Sequence, residues 1–500
     1  MGADEPEVRT TAGVLRGEEQ AGLAVFRGIP FAQPPVGALR FGAPQAVRGW
    51  DGVRKAVAYG PPPPQASAFG MDALSQDTGD DWLTLNVWTP DPGAGAGLPV
   101  MVWLYGGAYS IGMASLPEYD GGRLAREGVV IVTLNYRVGI EGFGLIEGAP
   151  ANRGLLDQVA ALEWVRENIR AFGGDPDQVT VFGESAGAGS VAALLAMPRA
   201  AGLFRRAVAQ SVPGTFFSAE LAADFARAFA DELGLRPTVA DFGSVAPSRL
   251  PAAGDAVGAA MRGSQKRWGP VAHTAVPLAP VVDGEVLPVD PWQALASGAG
   301  REIELVVGHT RDEFRLFMAL GGMLGEVTED QAAVALEVFA PGREDAYRAA
   351  FPDAGPDELY ELVNSDWLFR MPSLRLAEAQ VEAGGRAHFY ELTWSAPGMG
   401  GGLGACHGLD VPLVFGTLDG GLPAMLLGET PPPEAEELSA RFRSAWTGFA
   451  SGEGPGWPAY DLEQRLVQVF DTSPAVAAYP EEASRGIWRG HVFGALPLVG

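Results

Sequence analysis

Three short runs of nearly unbroken apolar character, Val100 to Tyr105, Val129 to Tyr136 and Val179 to Phe182, constrain this chain more than any other feature. A strand with one wet face alternates apolar and polar residues. A run that is apolar at successive positions must be covered on both faces, as in a parallel sheet flanked by helices. Between the second and third runs, Leu155, Val159, Leu162, Val165 and Ile169 recur at helical spacing over Leu155 to Phe172. Asp157 is read as a first-turn acid of that helix, and Gly173-Gly174 stop it. Strand, helix and strand in succession imply a parallel pair joined by a crossover. Further strands fit Arg206 to Gln210, Ile303 to Val307 and His388 to Trp394. The fold class is therefore α/β, with helices covering a large, mostly parallel sheet.

Val212–Arg301 and Arg315–Arg386 interrupt this strand sequence with helical patterns, so 212–301 and 315–386 are read as insertions capping one face. Pro61 to Pro64 and Asp91 to Gly97 read as surface loops, too short to separate domains freely. The 500 residues are thus expected to form a single domain with cap-like insertions.

Composition excludes several functions. The 35 Lys and Arg against 61 Asp and Glu give a net charge of −26, a field that repels phosphate backbones and anionic headgroups. Nucleic-acid and membrane partners are not expected, and no run approaches the roughly 18 apolar residues of a membrane span. The start, MGADEPEVRT, lacks the apolar stretch of a secretory signal, so a cytoplasmic location is expected. The lone cysteine, Cys406, permits no internal disulfide and no paired-cysteine metal site.

Gly183-Glu184-Ser185-Ala186-Gly187 matches G-x-S-x-G and stands between the strand at Val179 to Phe182 and a small-residue helix from Ala186 to Met197. The glycines permit a sharp turn that would lift Ser185 clear of the sheet as a nucleophile. With 68 glycines in the chain the bare pattern is weak, and a capping serine is the bland alternative. A serine hydroxyl needs an imidazole to take its proton and an acid to orient that imidazole, in the chain order Ser, acid, His. Of the five histidines, His273, His309 and His388 precede the acid or lie on a strand. His407, in the glycine-rich stretch Gly400 to Gly408, is favoured over His491 near the chain end. Asp312 and Glu313 follow the strand at Ile303 to Val307, and by pattern alone either could serve. Tyr105-Gly106-Gly107-Ala108 follows the first buried run and offers backbone N–H groups for an oxyanion.

These residues resemble the type-B carboxylesterase/lipase family, which includes bacterial para-nitrobenzyl esterases. The likeness runs through Phe26-Arg27-Gly28-Ile29-Pro30, Leu83-Thr84-Leu85-Asn86-Val87, Val102-Trp103-Leu104-Tyr105-Gly106-Gly107, Asn135-Tyr136-Arg137-Val138-Gly139, Asn152-Arg153-Gly154-Leu155-Leu156-Asp157-Gln158 and the serine motif itself. It implies the α/β-hydrolase fold and a bacterial serine carboxylesterase. It selects Glu313 over Asp312, supports His407, and assigns the oxyanion hole to the amides of Gly107, Ala108 and Ala186. Ala108 and Tyr105 stand where many members carry Gly and His, Phe314 where Gly is common, and Trp82 where secreted members carry a disulfide cysteine.

The expected reaction is acyl transfer through an acyl-enzyme, with uncharged alkyl or aryl esters as small-molecule substrates and no metal or organic cofactor. Activity is expected to fall as pH drops through about 6 to 7. A serine amidase or peptidase on the same scaffold is the nearest rival, and a non-catalytic binding protein is the other. The chain is expected to be a monomer or small homo-oligomer. Cys406, directly before His407, is read either as a small loop residue or as a point where a bulky thiol reagent would disturb the histidine.

Overall fold

The computed structural model describes residues 5–65, 79–274 and 276–500. Eleven strands form its main sheet: β1 (Glu18–Gln20), β2 (Leu23–Pro30), β3 (Thr84–Thr89), β4 (Leu98–Leu104), β5 (Val130–Leu134), β6 (Gly174–Glu184), β7 (Arg206–Gln210), β8 (Glu304–Thr310), β9 (Ala387–Leu392), β10 (Leu466–Phe470) and β11 (Ala475–Ala478). Their spatial order is β11-β10-β9-β8-β7-β6-β4-β5-β3-β2-β1. Every pairing from β10 through to β5 is parallel, and the pairings outside that block are antiparallel.

The central strands are buried along nearly their whole length, as their apolar runs require. The antiparallel flank is less evident from sequence because its polar residues are satisfied inside the sheet. Asn86 on β3 donates to Thr133 Oγ1 at 2.9 Å and accepts from Gly28 N–H at 3.0 Å. Buried polar groups paired in this way incur little of the desolvation cost that would otherwise expel them.

Helix α1 (Arg153–Asn168) crosses over between β5 and β6, ends in a 3-10 turn at Ile169–Phe172, and stops at Gly173 with φ +84°. Asp157 is not a first-turn acid, as its sequence position suggested. It is fully buried and holds Arg137, also fully buried, with Oδ1 2.7 Å from Nη2. This ion pair ties the loop after β5 to the helix, and removing one partner would strand a charge in the core. The proline run also departs from a free surface loop: Pro61 O accepts from Asn135 Nδ2 at 3.1 Å, and Pro64 lines the central cavity.

Between β7 and β8 lie α3 (Ala219–Leu233) and α4 (Leu250–Met261); between β8 and β9 lie α5 (Glu329–Phe339), α6 (Pro356–Ser365) and α7 (Met371–Glu382). α2 (Ala186–Ala196) follows β6, and α8 (Pro433–Ala450) precedes β10. Residues from both inserted regions wall a single cavity of about 1240 Å³ above the C-terminal ends of the parallel strands. One continuous hydrophobic cluster runs from Val8 to Phe493. The N-terminal segment enters it through a short strand at Glu7–Arg9, while Met1 to Asp4 lie outside the described residues. Among the described residues no helix is long and apolar enough to cross a membrane.

Candidate active site

Parallel strands deliver their C-terminal ends to one edge, which is where open α/β sheets bind ligands. Here the order β9-β8-β7-β6-β4 sets the order of the site. Glu313 follows β8, Ser211 follows β7, Ser185 follows β6 and Gly106 to Ala108 follow β4, with His407 in the stretch after β9. Register holds these ends level: Leu104 pairs with Gly183, Glu184 with Gln210, and Gln210 with Gly308.

Ser185 joins β6 to α2 with φ +56° and ψ −123°, a conformation L-residues avoid and adopt only where the surroundings enforce it. It is the one residue between Val179 and Met197 that is not buried. The enforcement comes from close backbone approach. A Cβ on Gly187 would lie 2.0 Å from Leu104 O, and one on Gly183 would lie 2.7 Å from the Gly187 backbone. The elbow is also pinned by Ser185 N–H donating to Gln210 O at 2.9 Å.

The structure brings Glu313, not Asp312, against His407. Glu313 Oε2 lies 2.5 Å from His407 Nδ1, while its Oε1 accepts from Ser211 Oγ at 2.6 Å and from Thr310 N–H at 2.9 Å. Asp312 instead accepts from Ala405 N–H at 2.8 Å and pairs with Arg311. Burial would raise the Glu313 carboxyl, but the His407 charge and hydrogen bond, then the Ser211 hydroxyl, outweigh it and hold it below the usual range. Ser211 was not singled out by sequence, although it directly follows the strand beside the elbow strand. Its φ of +60° turns it toward the acid.

The imidazole has a second carboxylate. His407 Nε2 lies 3.0 Å from Glu184 Oε1 and makes no hydrogen bond to Ser185 Oγ. Burial alone would lower the imidazole, but Glu184 and then Glu313 raise it above the ordinary histidine value. Glu184 is itself pushed up by burial, partly offset by His407. The phenyl ring of Phe369 stacks on the imidazole at 4.2 Å and Phe317 approaches at 5.1 Å, closing it off from water. Phe369 is carried on a π-helical segment, Asp366–Arg370, inserted between α6 and α7. Such segments commonly mark functional sites.

The other histidines are engaged elsewhere. His309 Nε2 meets Tyr479 Oη at 2.9 Å, His388 Nδ1 meets Trp457 O at 3.0 Å, and His491 packs on Trp488. His273 lines the cavity without reaching the acid.

Gly107 has φ +116° and Ala108 φ +53°; among the described residues neither amide donates to a protein acceptor, and both line the cavity beside Ser185 and Ala186. Ala186 opens α2, so its N–H is one of the helix's unsatisfied donors and carries the positive end of the dipole. Tyr105 and Tyr136 fix the approach to this turn. Their rings stack at 4.3 Å, the Tyr136 hydroxyl donates to Tyr105 O at 2.6 Å, and the Tyr105 hydroxyl donates to Tyr136 O at 3.1 Å.

A sheet of this topology, with a strained serine elbow at the end of a central parallel strand, is that of an α/β-hydrolase. The chain belongs to the carboxylesterase family, whose model matches residues 4–488. It is 38% identical to the para-nitrobenzyl esterase of Bacillus subtilis (strain 168), over 96% of this chain and 97% of that one. It is 33% identical to the phenmedipham hydrolase of Pseudarthrobacter oxydans, over 95% and 96%. Its fold matches the carboxylesterase EST55 of Geobacillus stearothermophilus with a TM-score of 0.86 at 35% identity, covering 97% of this chain and 100% of that one. The protein is a serine carboxylic ester hydrolase.

Proposed function

We propose that Ser185 is the nucleophile, His407 the general base and Glu313 the acid that orients it, with the amides of Gly107, Ala108 and Ala186 receiving the oxyanion. The observation that carries this reading is the 2.5 Å contact between His407 and Glu313 in the wall of the cavity that Ser185 enters. For attack, the Ser185 hydroxyl turns toward His407 Nε2, a contact that commonly tightens only when substrate is bound. The imidazole takes the proton as Oγ adds to the ester carbonyl. The protonated imidazole then gives it to the departing alcohol, and water repeats the cycle on the acyl-enzyme. Phe314, Phe317, Phe339, Trp367 and Leu278 line the cavity, which supports small uncharged alkyl or aryl esters over polyanionic ones. This activity needs no metal, nucleic acid or membrane, and we assign it to the bacterial cytoplasm.

The test is covalent. A fluorophosphonate probe should label Ser185, as read by peptide mass spectrometry. Ser185→Ala should retain only the roughly 10³ to 10⁴ acceleration over water that binding and the oxyanion hole supply. Labelling elsewhere, or near-full turnover by the variant, overturns the assignment.

A further inference from the structure

One stripe of α6 and its π-helical continuation turns to the cavity. Tyr360, Asn364 and Trp367 all line it at the i, i+4, i+7 spacing of a single helical face, while the neighbouring Leu359, Leu362 and Val363 pack into hydrophobic clusters. Aromatic pairs stand one turn before and one turn after Asn364. The rings of Tyr360 and Phe314 lie 6.0 Å apart between centroids, and those of Trp367 and Phe339 lie 4.7 Å apart. A primary amide in the middle of such a wall breaks the apolar pattern, and breaks of that kind concentrate at functional sites.

Asn364 is only 3% exposed, and the ester chemistry makes no use of it. Its Nδ2 donates to Tyr360 O, one turn back on the same helix, at 2.8 Å, which fixes the two ends of the amide. Among the described residues none donates to its Oδ1, and that oxygen is not sealed into the core. The side chain therefore presents a hydrogen-bond acceptor to the cavity. Water can serve it in the free protein, but an apolar substrate that displaces the water leaves a buried acceptor unpaired, whereas a substrate with a matching donor does not. A requirement of this kind discriminates more sharply than apolar fit alone. Thr215 is also buried and lines the cavity, and its turn is tied to the same segment by Gly214 N–H donating to Leu368 O at 2.7 Å. Its hydroxyl gives this wall a donor suited to a carbonyl oxygen.

We propose that Asn364 Oδ1 is the polar specificity element of the cavity and receives the N–H of a secondary amide carried by the ester substrate. This rests on the ester-hydrolase site described above and adds a substrate class to it: uncharged esters whose acyl or alcohol chain contains a secondary amide. The amide is bound and not cleaved, so no further covalent step is involved.

Two measurements test it. Turnover compares the 4-nitrophenyl esters of 3-acetamidopropanoic, 4-acetamidobutanoic and 5-acetamidopentanoic acids with those of 5-oxohexanoic, 6-oxoheptanoic and 7-oxooctanoic acids, in which a methylene replaces each N–H. The ω-acetamidoalkyl butanoates of two to four methylenes and their ketone partners do the same for the alcohol side. The readout is the ratio of kcat/KM, amide to ketone, corrected for each ester's rate with hydroxide and taken within each protein so that a general loss of activity cancels. In at least one pair the wild-type ratio should exceed one, although an amide costs more to take out of water than a ketone. Asn364→Leu should lower that ratio about tenfold or more, and Asn364→Asp, which keeps an acceptor oxygen, should lower it less. A wild-type ratio of one or below in every pair, or an unchanged ratio in Asn364→Leu, overturns the proposal.

Binding is measured separately by calorimetry with N-benzylacetamide and its isostere 4-phenylbutan-2-one. Only the amide should lose affinity in Asn364→Leu. Because binding needs no turnover, Asn364-dependent binding of the amide without ester hydrolysis would sink the catalytic reading and support the subsite. Hydrolysis of the ketone esters with no Asn364-dependent amide effect would do the reverse.

Discussion

His407 sits between two carboxylates, and in the proposed mechanism its protonation sets the pH at which Ser185 can be activated. The base must be neutral, so a raised imidazole is protonated over a wider range and kcat/KM falls tenfold per unit below its midpoint. The sign is therefore upward: the acid limb should lie above the roughly 6.5 of an ordinary histidine, higher than its sequence alone suggests. Glu184 is the larger upward influence, so Glu184→Gln should move the limb down. A wild-type midpoint at or below 6.5, or an unmoved limb in the variant, would contradict this electrostatic account. Cys406 makes an opposite case. It is fully buried, and burial followed by the nearby Glu313 charge pushes its thiol far up, so it is neither accessible nor ionised. A disulfide reagent should leave the native protein unmodified and react only after guanidinium unfolding, read by thiol absorbance. The reagent expected to disturb His407 through this residue has no path to it in the folded protein.

The elbow depends on two elements meeting without side chains between them. α2 crosses the end of β4 so closely that Gly187→Ala must move either the helix start or Leu104. Overpacking of this kind costs about 1–3 kcal/mol, and the displaced turn carries both Ser185 and the Ala186 amide. Urea unfolding should register the loss of stability, and kcat should fall more than KM changes, since the proposed oxyanion donors would act in the transition state. An alanine variant with native stability and kcat would show that the approach relaxes at no cost. Cover on both faces also decides which elements are legible in the chain. β4, β5 and β6 are covered on both faces, so their apolar runs are unambiguous. β3 has the same cover but mixes polar residues into the run, among them Asn86 and Thr89, which cross-strand and turn hydrogen bonds make tolerable. β10 and β11 form a partly exposed edge whose pattern resembles a loop. The π-helical segment carrying Phe369 has no marker that sets it apart from the helices on either side.

At the scale of the molecule, most buried apolar residues of the inserted regions join the sheet's hydrophobic cluster, a small second cluster of Met318, Val327, Ala332 and Leu359 stays within 315–386, and the cavity walls come from inserts and sheet alike. Thermal unfolding should accordingly show loss of esterase activity coincident with loss of near-ultraviolet circular dichroism. Activity lost well before the near-ultraviolet signal would mark the caps as a separate cooperative unit. The chain order of Ser185, Glu313 and His407, the residues proposed to act together, was legible in the sequence, because a parallel sheet collects its strand ends on one edge and the apolar runs and flanking glycines specify that sheet. Pattern alone narrowed the acid to Asp312 or Glu313 and the base to His407 over His491, and the family resemblance then selected Glu313. Only the tertiary structure shows the contacts behind that choice: Asp312 is spent on Ala405 and Arg311, Ser211 supports Glu313, and Glu184 is left as a buried carboxylate facing His407. The reason is physical. Periodicity and steric demands are local properties written into neighbouring residues, whereas the charge state of a buried group depends on distances to residues far away in the chain, and those distances exist only once the chain has folded.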